Sequence, residues 1–118
     1  MKFGFERDFW TAIDKLVDES QIIIDRPKGT QHPNFLNTFY PVDYGYLKDT
    51  TSMDKEGIDL WLGTSGREVD AIICIVDLFK KDSEIKLLTG CTPYEKELVL
   101  HFHNQFDCMK GILIPRKP

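Results

Sequence analysis

The chain has 118 residues, 42% of them hydrophobic, and its fifteen Lys and Arg against nineteen Asp and Glu leave a net charge of −4. That size suits one globular domain spanning residues 1–118, with little room for a second. A mildly acidic chain excludes a generic nucleic-acid coat, and no apolar run approaches the roughly 20 residues that cross a bilayer. The opening Met-Lys-Phe-Gly-Phe-Glu-Arg-Asp turns acidic before an export signal could form, so the expected setting is the cytoplasm. Cys74, Cys91 and Cys108 form no Cys-x-x-Cys pair, which predicts three reduced and mostly buried thiols.

The first predicted element is a helix whose stripe is Phe9, Ile13, Leu16 and Val17, spaced i, i+4, i+7 and i+8. Gln21-Ile22-Ile23-Ile24 reads as a buried strand because β-branched residues favour extended backbone. From Asp25 to Thr38 the prolines and glycine predict a loop. Phe39 to Leu47 is a compact aromatic block in which Pro41 excludes a central strand at its own position, while Gly45 permits close approach.

Strands follow at Ile58–Leu62, Val69–Leu78 and Glu84–Leu88. The stretch Ala71 to Val76 is apolar throughout, which predicts burial on both faces. Thr92, Pro93 and Glu95 compose a helix start, with a cap, a proline at the first position and a capping box. Leu98, Val99, Phe102 and Phe106 are the expected buried stripe, and Lys110–Ile114 the last strand. The order α-β-loop-β-β-β-α-β predicts an α+β domain on a small closed or partly closed sheet.

Chemistry concentrates in two acidic segments. In Asp54-Lys55-Glu56-Gly57-Ile58-Asp59, three carboxylates enter an apolar strand. Alternation puts Asp59 on the face of Trp61 and opposite Ile58, Leu60 and Leu62, so it is carried into partial burial. A half-buried carboxylate needs cations, hydrogen bonds or a metal, and oxygen-only ligands suit Mg²⁺ or Mn²⁺. Spacing alone favours a solvated acidic turn. In Asp82-Ser83-Glu84-Ile85-Lys86, Glu84 and Lys86 project together from one face. They could hold a metal and a phosphate oxygen; spacing alone favours an exposed ion pair. Tyr40, Tyr44 and Tyr46 are candidate phenol donors or an aromatic core with polar tips. His101 and His103, two apart on a helix, cannot share one metal, and His32 sits alone in its loop.

Taken together these segments resemble the soluble family I inorganic pyrophosphatases. The likeness starts at Pro27-Lys28-Gly29-Thr30 and is clearest in Phe39-Tyr40-Pro41-Val42-Asp43-Tyr44-Gly45-Tyr46, similar to that family's Tyr-Pro-x-Asn-Tyr-Gly block. Asp54 to Asp59 follows at the distance of the family's Asp-Gly-Asp-Pro-x-Asp motif, and Asp82, Glu84 and Lys86 resemble its next acidic pair and lysine. The resemblance implies an OB-like five-stranded β-barrel with flanking helices, Mg²⁺ as cofactor (Mn²⁺ in its place), and Mg-dependent hydrolysis of pyrophosphate to phosphate. By carry-over, Asp54, Asp59, Glu84 and Asp82 are metal ligands, and Glu56 orients or deprotonates the attacking water. Tyr44 and Lys86 are catalytic and contact phosphate, with Lys28 and Arg26 as further substrate contacts.

Departures accompany the likeness. Pro33-Asn34-Phe35 stands where the family has a Lys-Tyr-Glu run, a hairpin bearing a phosphate-binding arginine is missing, and Phe106-Asp107 replaces a Tyr-Lys pair. These losses leave two alternatives open: a weak or inactive module that binds metal or phosphate, and a hydrolase of another phosphoanhydride. The partners implied are pyrophosphate or a related phosphoanhydride and, for so small a domain, further copies of itself, with no nucleic acid and no membrane.

Overall fold

The computed structural model describes residues 4–53 and 55–117. Among them the chain runs α1 (Glu6–Asp18), β1 (Ile22–Arg26), β2 (Asp43–Leu47), β3 (Ile58–Leu62), β4 (Val69–Asp77), β5 (Asp82–Thr89), α2 (Pro93–Phe102) and β6 (Met109–Pro115). The strands make one mixed sheet in the order β1-β2-β3-β5-β4-β6. Its pairs are antiparallel apart from β3 with β5, where Leu60 to Leu62 run parallel to Leu87 to Thr89. No helix among the described residues is long and apolar enough to cross a membrane.

The expected α+β class is the one observed, but the sheet has six strands and is not closed into a barrel. The additional strand is β2, cut from the aromatic block. Pro41 stays outside it, and pairing begins two residues later, Asp43 opposite Leu62 and Tyr44 opposite Trp61. Gly45 is what lets β1 and β2 approach, since a Cβ there would collide with the Ile23 carbonyl. β1 also outruns the isoleucine run, and its irregular end sets Arg26 opposite Tyr44.

Alternation sorts the apolar residues onto two faces. Trp61, Ala71, Ile73, Ile75 and Leu88 point to one side, where they join Tyr40, Val42, Cys91 and Val99 of α2. Leu60, Ile72 and Leu87 point to the other, where they meet Leu47, Val69, and Trp10 and Val17 of α1. The expected α1 stripe packs there through Ile13, Leu16 and Val17, but its first position differs: Trp10 is the buried aromatic, and Phe9 stays 40% exposed. Trp10 lies beside Arg116, whose guanidinium is 5.6 Å from its ring and holds Asp14 through two 2.8 Å bonds.

α2 starts as expected. Thr92 Oγ1 accepts from the Glu95 N–H, and Glu95 Oε1 accepts from the Thr92 N–H at 2.8 Å. The helix ends at Phe102, so Phe106 belongs to the following turns rather than to the helical stripe. All three thiols are free; Cys91 is buried, which pushes its pKa up to about 12, while Cys74 and Cys108 are half-buried.

Candidate functional site

Three adjacent strands aim polar side chains from the Trp61 face into one cavity. Tyr44 comes from β2, Asp59 from β3, and Glu84 and Lys86 from β5. The Lys86 ammonium donates to Tyr44 Oη at 2.6 Å and to Asp59 Oδ2 at 2.7 Å, and pairs with Glu84 Oε1 at 3.0 Å. Tyr44 in turn donates its phenol proton to Asp59 Oδ2 at 2.7 Å. All three ammonium protons thus have a partner. Little water reaches them, the side chains of Lys86 and Glu84 being only 8% and 12% exposed. The exposed ion pair that spacing favoured is in fact enclosed, with Tyr44 and Asp59 of the neighbouring strands closed around the Lys86 ammonium.

Enclosure shapes the protonation states. Burial works against the Lys86 charge, but the Tyr44 oxygen and the Asp59 and Glu84 carboxylates outweigh it and hold the pKa above the ordinary lysine value. Burial is also the main cause of a raised Tyr44 pKa. At neutral pH the cluster therefore holds an ammonium and a neutral phenol. Beneath them Trp61 donates its Nε1–H to His103 Nε2 at 3.1 Å. Burial, with a smaller effect of the nearby Lys86 charge, lowers the His103 pKa to about 3, so this imidazole is neutral.

The remaining predicted residues divide. Arg26, Glu56 and Asp82 line the same cavity as the cluster. Lys28 is exposed and is not among the lining residues; its backbone N–H donates to Asp43 Oδ1 at 2.8 Å. Asp54 lies outside the described residues. Asp77 is a lining residue that the sequence reading passed over. It is 8% exposed, pairs in register with Asp82, and its Oδ1 accepts the N–H groups of Phe79 and Lys80 at 3.0 Å. Alternation could have found it, since Ile73, Ile75 and Asp77 face the same way as Lys86, Glu84 and Asp82 across the β4–β5 pair. Lys80, on the tight turn that Asp77 organises, also borders the cavity.

Among the described residues no group of three or more His, Cys, Asp or Glu side chains is gathered tightly enough to hold a metal ion. Asp59 and Glu84 do meet at one ammonium. Glu84 Oε2 is buried there with no hydrogen-bond partner. A buried carboxylate oxygen left unpaired is costly, and a hard oxygen donor is the type that Mg²⁺ takes. In donor type, though not in the number gathered among the described residues, Asp59 and Glu84 suit a hard divalent cation.

No family model and no curated protein matches the chain. Solved structures do. The inorganic pyrophosphatase from Thermus thermophilus superposes with a TM-score of 0.62 at 16% identity, over 80% of this chain and 81% of that one. An inorganic pyrophosphatase from Neisseria gonorrhoeae gives 0.57 at 13%, over 86% and 78%, and an inorganic phosphatase from Anaplasma phagocytophilum 0.52 at 13%, over 86% and 82%. This chain has the fold of the inorganic pyrophosphatases.

Proposed function

We propose that the chain hydrolyses the anhydride bond of inorganic pyrophosphate in the cytoplasm, with Mg²⁺, or Mn²⁺ in its place. One observation carries this reading: Tyr44, Asp59, Glu84 and Lys86 converge at the mouth of a pyrophosphatase-like sheet. Glu84 and Asp59 would hold the cation, joined by Asp82 and by Asp54. The chemistry such a cation supplies when bound is screening of phosphate charge and acidification of water.

The chain's own groups supply the rest. Lys86 keeps its proton at neutral pH and offers it to a phosphate oxygen, exchanging a carboxylate partner for a phosphate one. Tyr44 O–H, neutral at that pH, can turn from Asp59 to the same oxygen. Glu56, at the cavity edge, accepts the proton of the attacking water. Arg26 stands beside Tyr40 with its guanidinium 5.9 Å from that ring and reaches the second phosphate.

The test is release of phosphate from pyrophosphate by the purified chain with Mg²⁺ or Mn²⁺. Asp59→Asn should lower turnover by about 10²–10³-fold, the usual cost of one charge-stabilising group. Unchanged turnover in that variant removes the proposed site. A binder without turnover is the second reading. It is favoured by Lys86, which already compensates Asp59 and Glu84 without any added ion. Calorimetric phosphate binding with no turnover would select it.

A further inference from the structure

The cavity holds about 910 Å³. That is near the upper end of the roughly 300–1,000 Å³ of pockets that enclose drug-sized molecules, far more than bare pyrophosphate needs. Its walls are unequal. The lining combines the Tyr44, Asp59, Glu84 and Lys86 cluster with aromatic rings that run on from Tyr44 through Tyr40. His32 lies parallel to Tyr40, rings 5.7 Å apart and inclined by 8°. Phe35 stacks on Phe106 at 4.6 Å and sits 4.9 Å from His32. These rings are not simply core: Phe35 is 40% exposed, and Phe79, bordering the same cavity, is 87% exposed.

Arg26 and Lys80 add positive charge to this lining. Both line the cavity, and after burial their charges are the causes that lower the His32 pKa. His32 is therefore a neutral flat ring beside two cations. A small inorganic anion has no use for exposed aromatic faces, whereas a planar organic group stacks on them.

Resting on the proposed hydrolase reading, we propose that the same site also takes as substrate a nucleoside diphosphate or a related diphosphate bearing a planar group. Its base stacks on the Phe35 side and its anhydride lies at Lys86. Water oxygen bonds to the terminal phosphorus, the bond from that phosphorus to the bridging oxygen breaks, and the bridging oxygen leaves with the nucleoside monophosphate. One proton of the water goes to Glu56 and on to solvent. Nothing is oxidised or reduced.

Calorimetric titration of the full chain at fixed Mg²⁺ compares α,β-methylene adenosine diphosphate with methylenediphosphonate, which lacks the base. The nucleotide should bind about tenfold more tightly or better, the worth of one stacked base. Phe35→Ala should bring that ratio toward one, and Phe35→Tyr, which keeps the ring, should preserve it. A ratio is insensitive to a partly unfolded sample. Equal affinities in the parent chain, or a ratio indifferent to Phe35→Ala, overturn the nucleotide assignment; phosphate release from pyrophosphate would then leave the simpler hydrolase reading standing. Binding of neither ligand, with no phosphate released, overturns both.

Discussion

The two faces of the sheet are made from alternate residues of the same strands, yet they have opposite characters. Leu60 and Leu87 belong to an aliphatic face under α1, and Trp61 and Leu88 to an aromatic face under α2. The α1 face is dry packing that ends early, leaving Val76, Ile85 and Ile112 at 51%, 45% and 65% exposed. The α2 face grades from packed rings into the Lys86 cluster. One face supports the fold mainly by apolar area, with the Arg116 clamp at its edge. The other supports it through charges that must remain mutually satisfied, the same groups to which the proposed chemistry is assigned.

Lys86→Met gives the sharpest test of that contrast. Methionine keeps much of the side-chain volume but leaves Asp59 and Glu84 enclosed without a counterion. A loss of about 3–5 kcal/mol in urea unfolding, with phosphate release abolished, is expected. A much smaller loss would mean that water or an ion already compensates the carboxylates. On the opposite face Leu47→Ala removes a fully buried side chain. It should cost about 2–5 kcal/mol in the same experiment while turnover per folded molecule stays unaltered. If both variants lose activity in proportion to stability, the two faces are not functionally distinct.

Legibility in the sequence followed the same division. Period-two alternation was enough to set Asp59 with Trp61, and Glu84 with Lys86, on common faces, because a strand leaves no other choice. It could not reveal that the two pairs meet, since that depends on parallel pairing of β3 with β5, which the chain reaches only after β4. Burial of the ion pair was hidden for the same reason. β2 was missed because its aromatic block contains a proline and a glycine, each of which weakens a strand signal locally. Tertiary pairing on both sides overrode that weakness. In the α1 stripe only the aromatic position was misplaced, Trp10 for Phe9, and Trp10's neighbour Arg116 lies at the far end of the chain.

A smaller effect probes how the α2 layer is held over the site. Glu95 closes the capping box and also accepts from the Thr64 N–H and hydroxyl at 3.1 Å, so the helix start is tied to the loop after β3. Thr92→Ala removes the acceptor of the Glu95 N–H and should cost about 1 kcal/mol. Amide exchange should quicken in the first turn of α2 and leave α1 as it was. Equal quickening in both helices would show that the two layers unfold as a unit.

The weakest expected effect belongs to the clamp on the α1 side. Arg116 meets Asp14 end-on at 2.8 Å through both terminal nitrogens, and donates to the Val69 carbonyl at 3.2 Å. The hydrogen bonds from Arg116 hold the Asp14 pKa below the usual carboxylate value, against the opposing effect of burial. A depressed carboxylate pKa means that the unfolded chain takes up the proton first. The stabilisation is therefore complete above about pH 4, the unfolded value, and fades as pH falls through the lower folded one. Asp14 is 39% exposed, so solvent screening limits the pair to under about 1 kcal/mol. Asp14→Asn should reduce stability by that amount at neutral pH, with the gap to the parent narrowing in acid. A gap that stayed constant into acid would show that α1 is held by the Trp10 contact, with the ion pair contributing nothing.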